Sequence, residues 1–298
     1  MAILNRGFDQ TNLNGSVGGV TYRRVGGVTV ASQKVPMHVQ AKQTPKLMYT
    51  RMRWVNLVAL WKAINTTAWH PSFRKDNSRQ SDFNMFMKVN MAGARTFIPR
   101  SIAAANGSVV APVTLTSPSA LNTIAVQFES NGIATSSIAV GSLTLGNSTT
   151  LQTFSQAVID NNMGWQSGDQ LTVLIVRQMV NNGVPYALAS EEHVVLDNSA
   201  AAATELLSDQ IATSMFSVVD GVLALSGPVN GGVAFVQSRI VAGETICSGQ
   251  SLVVANTSLQ TYQGATAFRA AVDTYGGFAA SELLTPDLTD DIISQLEP

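Results

Sequence analysis

The stretch that most constrains the fold is Leu171–Val195. It opens with Leu-Thr-Val-Leu-Ile-Val-Arg-Gln-Met-Val, continues through Asn182-Gly183, and returns from Tyr186 to Val195. An Asn-Gly pair between two such runs supplies the positive-φ residues of a tight hairpin turn, and the first run is apolar enough to be a long buried strand. Further short runs are rich in β-branched and small residues: Val109–Leu115, Asn122–Phe128, Ser137–Leu145, Met215–Val219, Val222–Leu225, Gly232–Arg239 and Ser251–Val254. Turn residues at Gly221, Gly227-Pro228, Asn230-Gly231-Gly232 and Gly243 punctuate them. That rhythm predicts strands in β-sandwich-like layers. Thr150–Asn161, with Leu151, Phe154 and Val158 on one side, is expected as an inserted helix, and Ala200–Leu207 as a short helical link.

Ahead of these strands lie two different signals. Gly15–Ser32 holds two β-branched runs separated by paired glycines, with Val20 and Tyr22 alternating with Thr21 and Arg23. This is the pattern of a hairpin turning near Gly26-Gly27. Its glycines do not form the spacing of a phosphate-binding loop and serve tight turns instead. Thr44-Pro45 then gives an N-cap and a first helical residue, which predicts a helix to about Ile64. Leu47, Trp54, Val58 and Trp61 form its expected buried stripe, with Arg51 between them and Met48, Met52, Val55 and Ala59 widening it. Ser81 is expected to cap a second helix carrying Phe83, Phe86, Met87 and Met91. The aromatic residues of both helices are assigned to the core.

Charge divides the chain sharply. The first 100 residues carry 15 Lys+Arg against 3 Asp+Glu, and the remaining 198 carry 3 against 16, within a total of 18 and 19. A net charge of -1 therefore hides a segment near +12 and another near -13. Such segregation concerns partners and assembly more than fold. Lys42, Lys46, Arg51, Arg53, Lys62, Arg74, Lys75 and Arg79 are the candidate interaction surface, and nucleic acid is the runner-up partner for it. Charged residues make up only 12% of the chain against an average of about 25%, as suits β-rich domains or surfaces buried between subunits.

Catalytic residues are few. His38, His70 and His193 are the only histidines. Glu191 and His193 share a strand face by alternation, and an exposed polar strand face is the simpler reading of that pair. Cys247 stands alone, which excludes an intrachain disulfide and a multi-cysteine zinc site. Asp287, Asp290 and Asp291 are too crowded for a glycosidase pair and lack calcium-loop spacing. Trp165, Tyr186 and Tyr262 are the aromatic residues considered as sugar platforms. No enzyme activity, cofactor or metal is expected. No apolar run at the start is long enough for a signal peptide, and none elsewhere for a membrane span, so synthesis in a cytoplasm with exit by lysis is expected.

The series Gly15-Ser-Val-Gly-Gly-Val-Thr-Tyr-Arg-Arg, Gly-Gly-Val-Thr-Val-Ala-Ser and Arg51-Met-Arg-Trp54 resembles an uncharacterised family of Bacteroidetes bacteria and their phages. Gln237-Ser-Arg239 followed by Ser248-Gly-Gln250-Ser-Leu252-Val resembles the late strand pair of that family. The resemblance spans most of the chain through short motifs, and it brings no catalytic residues. It implies a virion structural or assembly role, with copies of the chain and other virion proteins as partners and no membrane. The expected fold is mainly β (α+β). Residues 1–100 form a basic hairpin and helical module, 101–198 a β-sandwich-like domain, and 199–298 a second β-rich region. That last region is expected to end in a helix over Leu259–Tyr275 and an acidic tail, in which Ile292, Ile293 and Leu296 form the apolar face of a short docking helix.

Overall fold

The computed structural model describes residues 2–3, 15–17, 19–25, 28–33, 45–64, 81–93, 98–110, 112–116, 121–255, 270–271 and 274. The chain divides into two units, Met1–Thr44 and Pro45–Pro298.

The first unit is one antiparallel sheet of β1 (Ala2–Ile3), β2 (Gly15–Val17), β3 (Val20–Val25) and β4 (Val28–Gln33), in the order β1-β4-β3-β2. The expected hairpin is present, with Val25 opposite Val28 and Val20 opposite Gln33. Tyr22, Val30 and Ala31 are half-covered and Arg23 is exposed.

The second unit contains α1 (Pro45–Ile64), α2 (Asp82–Gly93), α3 (Arg100–Ala104), β5 (Val113–Thr114), β6 (Val126–Phe128), β7 (Ile133–Ala139) and α4 (Leu151–Asn161). These are followed by β8 (Gln170–Asn181), β9 (Val184–Val195), β10 (Phe216–Val219), β11 (Val222–Pro228), β12 (Gly231–Val241), β13 (Glu244–Cys247) and β14 (Ser251–Val254). One sheet runs β10-β11-β7-β6; the larger runs β5-β14-β12-β8-β9, with β13 also paired to β12. All the strand pairings are antiparallel.

The architecture is layered, and β8 shows why its sequence does not alternate. Leu171, Val173 and Ile175 face the smaller sheet and α4, packing with Phe154, Val158, Leu223, Leu225 and Phe235. Leu174 and Val176 face the other way, with Ala234 and Leu252, onto Leu57, Leu60, Trp61, Met85 and Phe86 of α1 and α2. A strand covered on both sides reads as a continuous apolar run.

Two expected boundaries do not hold. Strands on either side of residue 198 pair with each other, β7 with β11 and β8 with β12, so 101–198 and 199–298 fold as one interleaved unit. The helices of the expected 1–100 module belong to the second unit, where they cover the larger sheet. The strand expected over Ser137–Leu145 instead occupies Ile133–Ala139, and Val109–Leu115 keeps only two strand residues. The link expected as helical over Ala200–Leu207 forms short 3-10 turns at Ala201–Ala203 and Leu207–Asp209. The helix expected over Leu259–Tyr275 lies outside the described residues except for Ala270, Ala271 and Thr274.

Buried amides knit the layers together by acting as substitute peptide groups. Asn90 Nδ2 donates to Thr114 O (2.9 Å) and Phe86 O (3.0 Å), while Thr114 N donates to Asn90 Oδ1 (2.7 Å). That contact closes the edge of β5 with a helix side chain, which removes an open strand edge. Asn162, just past α4, treats Ala139 of β7 identically, with N–H···Oδ1 at 2.9 Å and Nδ2–H···O at 2.6 Å. Gln250 does the same for Ile124. Each amide satisfies buried main-chain groups that no strand partner reaches.

Candidate functional site

The side of α1 that faces the larger sheet carries Arg53, Asn56, Leu57, Leu60, Trp61 and Ile64, at alternating three- and one-residue steps. Two of these are polar, and Asn56 earns its place by accepting from Val109 N (3.0 Å) and Ser108 Oγ (3.1 Å). At 100° per residue, Arg51, Trp54, Val55, Val58 and Lys62 fall on the opposite side. Trp54 is 44% exposed, Lys62 is exposed, and Arg51, Val55 and Val58 are half-buried.

Trp54 is nevertheless held in place. Its ring meets Phe83 of α2 edge-on, with centroids 6.1 Å apart. Phe83 also meets Trp61 at 6.0 Å, and Trp61 meets Phe86 at 5.1 Å. Four rings thus run from solvent to core, a geometry favourable to aromatic pairs. The result is a fixed indole on the surface with a cation one turn before it and another two turns after. Tryptophan and arginine in such settings dominate binding at protein interfaces, and the same combination suits stacking on unpaired bases.

Of the residues expected to interact, the structure brings Arg51 and Lys62 onto this stripe. Arg53 is a correction: it is only 8% exposed and faces the core side of α1. Trp54 is a second correction, because the sequence placed it in the buried stripe. Both errors share a cause. Arg53 and Asn56 occupy inward positions, so counting apolar residues alone rotates the apparent buried face toward Trp54. Lys46 lies in α1 with its side chain outside the described residues, as are Lys42, Arg74, Lys75 and Arg79 altogether.

The other residues singled out by sequence stand apart from one another. Glu191 and His193 do share a face of β9, opposite Leu174 and Thr172, with His193 exposed. Glu192 faces the other way, and its Oε2 accepts from Ala212 N at 3.0 Å. Among the described residues, no group of three or more His, Cys, Asp or Glu side chains is placed to hold a metal ion. Cys247 is buried, and loss of solvent pushes its thiol up to about 11. Trp165 lies before the start of β8, whereas Tyr186 pairs with Met179 near the far end of the hairpin, so the two do not make one platform; Tyr262 is outside the described residues.

The Gln237-Ser-Arg239 and Ser248-Gly-Gln250 motifs are structural. Asp169, fully buried, accepts from Arg239 Nε (2.5 Å), Arg239 Nη2 (2.7 Å), Gln237 Nε2 (2.7 Å) and Gln166 N (3.1 Å). Its hydrogen bonds raise the guanidinium pKa of Arg239 further above an already high value. Ser248 Oγ accepts from Gln237 N (3.0 Å), and Thr116 Oγ1 donates to Ser248 O. Beside this network the mouth of the sandwich forms an open groove of about 550 Å³, lined by Thr114, Thr116, Thr123, Gln250 and Ser251 among others. Its described lining carries hydroxyl and amide groups and no ionisable side chain.

Comparison with family models, with curated proteins and with solved structures finds no match for this chain. No helix among the described residues is long and apolar enough to cross a membrane.

Proposed function

We propose that this chain is a non-enzymatic virion structural protein of a phage, which assembles by docking the outward stripe of α1 onto copies of itself or onto other virion proteins. The observation that carries the assembly reading is the partly exposed, ring-braced Trp54, flanked on the same helix side by Arg51 and Lys62. The charge division supports it, because a surface of positive sign in one copy meets the acid-rich remainder of another. The first sheet supports it as well. Tyr22, Val30 and Ala31 of that small sheet are only half-covered, and a small sheet of this kind gains stability from a covering partner. The virion setting rests on the resemblance of the glycine-rich hairpin and the Arg51–Trp54 motif to the Bacteroidetes and phage family.

Mass spectrometry of purified virions tests the setting. Recovery of this chain as a repeated particle component supports the reading, and its consistent absence from intact particles overturns it.

A second reading uses the same stripe. An exposed indole beside two cations also fits single-stranded nucleic acid, with stacking on Trp54 and phosphate contacts from Arg51 and Lys62. Binding that weakens steeply with salt and is lost in Trp54→Ala supports this alternative; no detectable binding at low salt removes it.

A further inference from the structure

We infer that the outer edge of β9 pairs with the same edge of a second copy of this chain, antiparallel about a twofold axis at residue 192. This contact is separate from the α1 stripe and goes beyond the assembly reading above.

β9 ends the order β5-β14-β12-β8-β9, so among the described residues no strand lies beyond it. The turn decides which groups that edge presents. Asn181 and Val184 flank a two-residue turn and exchange hydrogen bonds with each other. By alternation Tyr186, Leu188, Ser190, Glu192 and Val194 bond to β8, and the odd-numbered residues turn N–H and C=O outward. Two contacts agree with this: Leu196 N donates to Asp169 O at 2.8 Å, and the outward Pro185 O accepts from Ser108 N at 2.9 Å. Ser108 thus covers the start of the edge, Pro185 has no N–H to offer, and Ala187 is buried. The accessible run is Ala189 to Val195. No main-chain hydrogen bond from the described residues reaches the outward groups of Ala189, His193 or Val195. Such a row is a template for another extended chain.

The sequence of the run favours a second copy. Antiparallel pairing sets outward residues opposite outward residues. An axis at 190 runs into the covered Pro185 and Ala187. An axis at 191 sets Glu191 against Glu191, and like charges directly opposite oppose pairing. An axis at 192 uses the whole accessible run. Ala189 then meets Val195 of the second copy, and Glu191 meets its His193, twice over. Each acid faces a base, on the side of β9 that lies opposite Leu174 and Thr172. On the other side the two Glu192 approach the axis, each carboxylate accepting from Ala212 N of its own chain at 3.0 Å. The main-chain ladder supplies affinity, and the Glu191–His193 pairs fix register. The contact is isologous and closes at two copies, which leaves the α1 stripe to join one dimer to the next.

The test uses the full chain carrying Trp54→Ala, so that the α1 stripe contributes little. Sedimentation velocity should show a dimer. His193→Pro should weaken it at least tenfold, because the ring replaces an outward N–H and leaves the β8 ladder intact. Glu192→Gln should tighten it by removing the like charges at the axis. Single cysteines check the register, with the buried Cys247 left in place. In Glu192→Cys the two thiols face each other as a non-hydrogen-bonded pair, within disulfide reach. In Leu188→Cys and Val195→Cys, at positions 52% and 43% exposed, they stand ~27 and ~20 Å apart at ~3.4 Å per residue. Mild oxidation should link Glu192→Cys into dimers at least tenfold more than the other two. A monomeric Trp54→Ala chain overturns the inference, and association of the parent chain then leaves the α1 reading in place. A dimer that His193→Pro leaves at full strength, or equal linking at the three positions, overturns it as well. Where circular dichroism shows His193→Pro misfolded, the cysteine pattern decides.

Discussion

Replacing Asp169 by alanine removes the hub of the buried polar network. Four donors converge on its carboxylate: Arg239 Nε and Nη2, Gln237 Nε2 and Gln166 N. Breaking a buried ion pair from one side costs about 3–5 kcal/mol, because the remaining charge stays desolvated. The Arg239 side chain keeps 19% of its surface in solvent, and its Nη2 retains Gly164 O at 2.7 Å, so the lower end applies, about 3 kcal/mol. For a folding unit of this size each kcal/mol lowers Tm by roughly 2–4 °C, which gives a drop of about 6–12 °C. Thermal and urea unfolding followed by circular dichroism measure it. The companion variant Asp169→Leu with Arg239→Met removes both charges at once, and is expected to recover part of the loss. A Tm for Asp169→Ala within a degree of the parent, or a double variant less stable than the single, refutes the reasoning.

Three further outcomes are expected. Gly231→Ala places a Cβ 1.9 Å from Val176 O, so β12 must move off β8; a loss of about 1–3 kcal/mol in urea unfolding is expected, and a neutral result contradicts the close pairing. Ala242 begins a hairpin turn at φ +53, beside Gly243 at +83, a conformation that disfavours a Cβ; Ala242→Asn should raise stability by about 0.5–1 kcal/mol in the same assay. The Cys247 thiol, raised to about 11, should react with a disulfide reagent at pH 8 only after unfolding. Because that pKa lies above its unfolded value of about 8.5, the stability it contributes is complete below that pH and falls as pH rises toward 11. Loss of the pH 8.5–11 decline in Cys247→Ala checks the assignment.

The fold was legible where local chemistry decides it. Asn182-Gly183 adopts φ of +50 and +77 as its turn requires. Thr150 Oγ1 accepts from Thr153 N at 3.2 Å to start α4, and Pro45 begins α1. The domain boundaries were not legible, because strand pairing between β7 and β11 or between β8 and β12 spans long sequence separations that no local pattern encodes. The candidate site was half legible. Basic charge pointed to α1, but the side it presents depends on Arg53 and Asn56 facing inward, and a polar residue gives no sign in sequence that a buried partner awaits it. The pairing of Asn56 with Val109 crosses from α1 to the segment before β5, and only the folded chain reveals it. Gln237 and Arg239 stand out in the sequence only as part of a motif and Asp169 does not stand out, and the carboxylate hub that joins them appears only when β12 lies beside the start of β8.

Sedimentation velocity of the full chain across concentration and salt, alongside Arg51→Ala, Trp54→Ala and Lys62→Ala, tests the assembly claim most directly. The account predicts association in the parent chain that weakens as salt screens the opposed charges, and at least about a tenfold loss of affinity on removing Trp54, with little change in Tm. A chain that stays monomeric at every concentration contradicts the account. So does association of equal strength in parent and variants.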